Sequence, residues 1–286
     1  MIGFIGLGVM GEPICRHLAG KSGQKVCAYD MAPEPLERLK AHGVEALGSV
    51  REVAEKSDVV FLSLPGGKEV KLVCAGPGSL LIKLRAGAYI VDLSTTTVQM
   101  ARELRERFSA RGIHFIDAPV ARTREAAEKG TLSVMVGGTE AEFQRMKPLL
   151  AHFATDITHC GAAGAGQAMK LLNNMVLFQN VVALAEALAV VKRIGLDPAL
   201  ALDILSKGSA DSYALRNHGL KAMLPGAFPE RTFSVEYARK DLGYILQLAK
   251  QLQLDLSGAR NTRAVLDKAS AAGLGQEYFP ALMKVI

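Results

Sequence analysis

Lys170, Asn173 and Asn174 stand three and four residues apart in a run otherwise made of Ala, Met and Leu. A helix over this segment would bring all three to nearly one face. An apolar surround disfavours the ammonium form of a lysine and brings its proton within working range of neutral pH. Such a lysine could protonate a carbonyl oxygen as hydride arrives at the carbon, or take the proton back during alcohol oxidation. An asparagine one turn away could hold the lysine or the reacting oxygen. The plain alternative is an ordinary helix lysine that snorkels to water.

A second constellation opens the chain. Gly6-Leu7-Gly8-Val9-Met10-Gly11 is a Gly-x-Gly-x-x-Gly turn between the apolar strand 2–5 and an amphipathic pattern beginning near Glu12. In that context Gly6 permits the tight turn, Gly8 lets backbone approach a pyrophosphate, and Gly11 allows close packing of helix on strand. The phosphates would rest on unsatisfied amides at the positive end of the helix. Asp30 ends the second strand, 19 residues beyond Gly11. An acid there accepts hydrogen bonds from ribose hydroxyls and repels a 2′-phosphate, and the following Met31 offers that phosphate no charge. The pattern therefore favours NAD(H) over NADP(H). Two later strand ends, Leu64-Pro65 and Asp92-Leu93-Ser94-Thr95, should complete the pocket, because ligands bind beyond the carboxyl ends of parallel strands.

The elements that must position these groups follow from periodicity. Strand candidates are 2–5, 25–29, 59–64, 88–92, 114–116 and 132–136, and several are continuously apolar, as in sheets covered on both faces. Helical patterns at 12–19, 35–41, 50–56, 97–111 and 141–153 alternate with them, which implies βαβ units and a doubly wound sheet. After Gly161-Ala-Ala-Gly164-Ala-Gly166 the chain runs to Ile194 without proline or glycine. The fold class is α/β: a Rossmann domain over 1–162, then an all-α domain over 163–286 whose first element, 163–194, is a long bridging helix. Further helices are expected at 199–206, 234–252 and 258–271, broken at Leu224-Pro225-Gly226 and Phe228-Pro229.

Composition narrows the function classes. The 286 residues are 49% hydrophobic and 22% charged, an ordinary globular balance. A net charge of +6 would attract anions, yet Arg102, Arg105, Arg107 and Arg111 are interleaved with Glu103 and Glu106, and there is no tryptophan. No nucleic-acid partner is expected. No continuous apolar run reaches the roughly 20 residues of a bilayer span, so no membrane partner is expected either. Cys15, Cys27, Cys74 and Cys160 lie far apart, which suits a reducing cytoplasm, and the six histidines show no ligand spacing, so no metal is expected.

Taken together, Gly6–Gly11, Asp117-Ala-Pro-Val120 and Gly161-x-x-Gly164-x-Gly166-x-x-x-Lys170-x-x-x-Asn174 resemble the β-hydroxyacid dehydrogenases, over essentially the whole chain and in the family's order. That family includes 3-hydroxyisobutyrate dehydrogenase-like and semialdehyde-reducing enzymes, and is related to 6-phosphogluconate dehydrogenase. The resemblance implies hydride transfer between nicotinamide and a small anionic 3-hydroxy acid or its semialdehyde, in a homodimer or homotetramer. It implies that Lys170 is the general acid/base with Asn174 in support, that Leu64-Pro65 lines the dinucleotide, and that Thr95 touches nicotinamide or substrate. Lys240-Asp241-Leu242 matches a segment whose lysine approaches the cofactor and whose aspartate closes the site, and Phe233 matches an aromatic that covers the substrate.

One departure stands out. Where the family carries Ser-Gly-Gly after Asp-Ala-Pro-Val, this chain has Ala121-Arg122-Thr123. A guanidinium replaces the small residues, and arginine binds multi-oxygen anions through paired hydrogen bonds. This loop is similar to that of sulfolactaldehyde reductases, although Leu177 stands where those enzymes carry a serine. Ala121, Arg122 and Thr123, with Ser94, Asn173, Phe233 and Asp241, are thus the expected substrate contacts. The alternatives are the same chemistry on a sulfonate or phosphonate tail, a non-catalytic dinucleotide-binding protein, and an imine reductase, though relatives of the last kind commonly lack the lysine. The plain reading of Arg122 is that it turns outward and pairs with Glu125 or Glu128.

Overall fold

A computed structural model describes residues 1–230 and 232–286. The chain forms two compact units, Met1–Lys170 and Leu171–Ile286. In the first, the order is β1 (Ile2–Ile5), α1 (Gly11–Lys21), β2 (Val26–Tyr29), α2 (Pro33–Lys40), β3 (Val44–Ala46), α3 (Val50–Lys56) and β4 (Val59–Leu62). It continues with α4 (Gly67–Ala75), α5 (Leu80–Lys83), β5 (Tyr89–Asp92), α6 (Val98–Ser109), β6 (His114–Asp117) and β7 (Val120–Ala121). The unit is completed by α7 (Arg124–Lys129), β8 (Leu132–Gly137), α8 (Glu140–Leu150), β9 (Ala154–Gly161) and the start of α9 (Ala165–Arg193).

The sheet runs β3-β2-β1-β4-β5-β6-β8-β7, with β9 beside β8. Its first six strands are parallel; β8 is antiparallel to β6 and β7 and parallel to β9. Successive residues of the central strands enter opposite layers of core. Phe4, Phe61, Val91 and Ile116 pack on one face, and Ile5, Val60, Leu62, Ile90 and Phe115 on the other. Burial on both sides explains why these strands read as unbroken apolar runs. Chain order reverses at β1 and β4, so the carboxyl ends of β1, β4 and β5 open beside the glycine turn, where open α/β sheets bind ligands.

Two strands, β3 and β7, were not anticipated, whereas a strand ending at His159-Cys160 was expected from the sequence and is β9. Val44-Glu45-Ala46 is too short for a period to show, and Val120-Ala121 is a two-residue bridge. β9 carries Asp156, Thr158 and His159 and earns its place through pairing with β8 rather than through burial. The short helices α4, α5 and α7 were likewise silent in the periodicity.

The second unit holds the remainder of α9, then α10 (Pro198–Lys207), a π-helical stretch Leu215–Met223, α11 (Val235–Gln251), α12 (Ser257–Ala269) and short closing turns. Asp197 caps α10 through the amides of Ala199 and Leu200, and Ser234 caps α11 through Tyr237 N. Leu171, Phe178, Leu184, Leu202, Leu242, Leu266 and Phe279 form the unit's apolar interior. By length and composition, the 29-residue α9 is apolar enough to cross a membrane, although its apolar residues do not form one continuous run. Core helices of helical domains pass the same test, and α9 is interrupted by Lys170, Asn173 and Asn174.

Candidate active site

The glycine turn has the shape a dinucleotide requires. Gly6 adopts φ 92°, and a Cβ on Gly11 would strike the Gly6 carbonyl, so the start of α1 closes onto β1 only with hydrogen at that position. A Cβ on Gly8 would meet nothing within 4 Å, which leaves open space over the turn, and Gly8 and Val9 are exposed. This cradle, with the amides at the head of α1, fits a pyrophosphate. Leu64 packs against the turn at Gly6, while Pro65 is exposed beside it.

Asp30 does more than await a ribose. Its Oδ2 accepts from Leu7 N and its Oδ1 from Ala32 N at 2.8 Å, so the carboxylate also holds the glycine turn against the end of β2. Arg38 is bound to Glu12 by two hydrogen bonds of 2.6 and 2.7 Å, which neutralises the guanidinium nearest to Asp30 in sequence after it. Met31 is fully solvent-facing.

The loop after β5 is stitched to its neighbours. Ser94 is buried: its Oγ accepts from Leu64 N at 2.9 Å, its amide donates to Asp92 Oδ1 at 3.0 Å, and its carbonyl accepts from Gln167 Nε2 at 2.8 Å. The Ser94 hydroxyl ties the β4 and β5 loops together. Thr95, next to it, is half-buried.

Lys170 is buried, 8% exposed, just past the first turn of α9. Two groups that spacing did not single out place that turn. Asp117, fully buried at the end of β6, accepts from Gly164 N at 2.7 Å, Gln167 N at 2.9 Å and the Gly166 amide. Burial pushes its carboxyl above the usual range, with those amide bonds pulling the other way. Gln167 is also fully buried and donates to Ser94 O while its Oε1 accepts from Thr96 N at 2.9 Å. Gly166 makes this approach possible, because a Cβ there would strike the Met135 carbonyl. The head of α9, and Lys170 one turn on, is thereby pinned to the carboxyl ends of β5 and β6. The Asp117-Ala-Pro-Val motif was visible, but that its carboxylate serves α9 is a long-range fact with no local signal.

In the second unit Asn173, Asn174, Asp241 and Lys240 form one polar chain. Asn173 Nδ2 donates to Asn174 Oδ1 at 3.1 Å, Asn174 Nδ2 to Asp241 Oδ2 at 2.7 Å, and Lys240 pairs with Asp241 Oδ1 at 3.2 Å. Asn174 and Asp241 are buried. The amide of Asn174 therefore bonds the aspartate of α11. Phe233 stacks on Phe178 with ring centres 5.9 Å apart and meets Phe279 edge-on at 5.8 Å. An open surface depression of about 340 Å³ on the same unit is lined by Lys240 and Tyr244 together with Glu236, Arg239 and Arg263, among others.

The 121–123 segment departs from expectation. Ala121 lies buried in β7 opposite Ser133, and the Thr123 hydroxyl caps α7 by accepting from Ala126 N. Arg122 does not present a free guanidinium: it donates to Thr131 O at 2.6 Å, Thr155 Oγ1 at 3.0 Å and Asp156 Oδ2 at 2.7 Å. Nor does it pair with Glu125 or Glu128, because Asp156 of β9 supplies the acid. In this arrangement the Arg122 guanidinium is engaged by Asp156. Among the described residues no group of three or more His, Cys, Asp or Glu is placed to hold a metal ion.

Comparison with known proteins places this site in a family. Residues 1–161 match the NAD binding domain of 6-phosphogluconate dehydrogenase, and residues 164–286 the NAD-binding domain of NADP-dependent 3-hydroxyisobutyrate dehydrogenase. The chain is 37% identical to 2-(hydroxymethyl)glutarate dehydrogenase of Eubacterium barkeri, covering 99% of this chain and 94% of that one. It is 33% identical to 3-hydroxyisobutyrate dehydrogenase of Pseudomonas aeruginosa, covering 97% and 95%. The solved structure of Mycobacterium tuberculosis 3-hydroxyisobutyrate dehydrogenase with L-serine aligns with a TM-score of 0.90 at 32% identity, covering 99% and 98%. The chain belongs to the β-hydroxyacid dehydrogenase family. It is an NAD(P)-dependent oxidoreductase of the 3-hydroxyacid dehydrogenase kind.

Proposed function

We propose that this chain transfers hydride between NAD(H) and a small anionic 3-hydroxy acid or its semialdehyde, with Lys170 as the proton relay. The observation that carries this reading is the buried Lys170 held at the carboxyl ends of β5 and β6 by Asp117 and Gln167. Nicotinamide, when bound, supplies the hydride at C4. Lys170 Nζ then gives a proton to the carbonyl oxygen in reduction and removes it from the hydroxyl in oxidation. The bond to Asp241 would fix the Asn174 amide to orient the reacting oxygen, Thr95 would help hold nicotinamide, and Phe233 would help cover the substrate.

The coenzyme is NAD(H): Asp30 would meet a 2′-phosphate with like charge, Met31 has none to offer, and Arg38 is occupied by Glu12. Because Arg122 is bound to Asp156, the substrate tail is a carboxylate, and a sulfonate or phosphonate loses the guanidinium that would have favoured it. A screen of NADH and NADPH consumption over semialdehydes with carboxylate, sulfonate and phosphonate tails tests both points. A preference for NADPH would overturn the Asp30 reading, and a best rate on the sulfonate would overturn the carboxylate one.

The assembly is a homodimer or homotetramer. Met169, Leu172, Val176, Val190 and Ile194 leave an exposed apolar stripe on α9 and its end, which a second copy would cover. Light scattering that returned a monomer at micromolar concentration would refute this.

A further inference from the structure

We propose that Arg122 is a positioning residue for the substrate turn, acting through the backbone and not as an anion ligand. Arg122 holds φ 86°, in the left-handed region where a side chain is strained and glycine is not. The only other non-glycine residue so placed among those described is Gln253, after α11. A residue in that conformation persists when its surroundings over-determine it.

The surroundings here are three hydrogen bonds that carry Arg122 from the end of β7 across to β8 and β9. Thr131 O receives one bond just before β8, where a continuing β7 ladder would have placed an amide, and Thr155 and Asp156 receive the others. Thr155 Oγ1 also donates to Asp156 Oδ2 at 2.8 Å, which aims the carboxylate at the guanidinium. The side chain is 39% exposed and its charge is met by Asp156. The amides of Arg122 and Thr123 have no protein acceptor among the described residues. The clamp thus lets a large residue keep a backbone shape otherwise suited to glycine, while directing its charge to the far edge of the sheet.

This inference rests on the expectation, carried by the family resemblance, that the backbone of residues 121–123 adjoins the substrate. The test compares R122A, R122G and D156A by steady-state kinetics with a hydroxy acid that the wild type oxidises, by NADH affinity from fluorescence, and by melting temperature without substrate. R122A is expected to raise KM for the acid about tenfold, with kcat within about threefold and NADH affinity unchanged. R122G, free of the left-handed strain, recovers to within about threefold of wild type, and D156A raises KM in the same direction as R122A. R122G melts above R122A, the reverse of the order at an ordinary exposed site. Equal KM increases in R122A and R122G, or a KM lowered by D156A, would mean that the guanidinium binds the substrate and would overturn the clamp. A melting order with R122A above R122G would overturn it as well. If the melting order holds while the wild type oxidises no hydroxy acid in a broad panel, the functional reading fails and the clamp stands.

Discussion

The polar groups around the head of α9 and those inside the second unit are held in different ways. In the first unit, Asp117, Gln167, Ser94 and Asp30 bond mainly to backbone amides and carbonyls at strand ends. In the second, two buried pairs join side chain to side chain: Asn174 to Asp241, and His218 Nδ1 to the Tyr278 hydroxyl at 2.7 Å. A side-chain pair can be replaced as a pair by apolar groups of similar shape at little cost, whereas a backbone amide cannot be removed, and loss of its partner leaves it orphaned. Such groups are thus fixtures at the strand ends of the first unit, whereas the His218–Tyr278 pair is an exchangeable part of the second unit's interior.

The contrast can be sharpened first at Lys170, the group that the strand-end anchors hold. K170A should lower kcat by about a hundred- to ten-thousandfold while NADH still binds and the melting temperature does not fall. A variant with near-normal turnover would remove the lysine from the chemistry. Removing the anchor should cost both rate and stability. D117A orphans three amides and should destabilise the first unit by about 3 kcal/mol or more, with D117N milder because an amide oxygen can still accept. Denaturant unfolding followed beside kcat would show the double loss; a D117A protein of wild-type stability would break the comparison.

Glu142 gives the first unit a pH signature. Burial alone would raise its carboxyl, but Arg105, Thr139 and His114 outweigh that and hold it at about 2. Its folded value lies below the ordinary 4.5, so the stabilisation is complete above pH 4.5 and is lost as pH falls towards 2. E142Q should therefore melt lower at pH 7, by about 3 kcal/mol of stability, with the gap closing between pH 4.5 and 2. A gap independent of pH would assign the effect to packing.

The smallest effect belongs to the second unit. Burial holds His218 at about 4, below the ordinary 6.5, so the native state loses stability as pH falls from 6.5 to 4. Replacing the pair together, H218F with Y278F, should cost within about 1 kcal/mol at pH 7 and abolish that acid sensitivity. Thermal melts from pH 7 to pH 4 read both, and a large loss at pH 7 would show that this pair is not exchangeable.

Local sequence determined much of this protein. The parallel strands announce themselves because both faces are buried, the glycine turn because its backbone admits no side chain at Gly11, and α9 because nothing breaks it between Gly166 and Gly195. Lys170, Asn173 and Asn174 were legible as one helical face, and the family followed from motif order. Tertiary structure alone decided what those residues touch. Asp117 and Gln167 became anchors of α9 because strands distant in sequence end beside it, and Asn174 met Asp241 through packing of helices 67 residues apart. The direction of Arg122 depended on β9, a strand made by pairing and not by its own composition. Periodicity records which side of an element is buried; it carries no information about which other element will lie against that side.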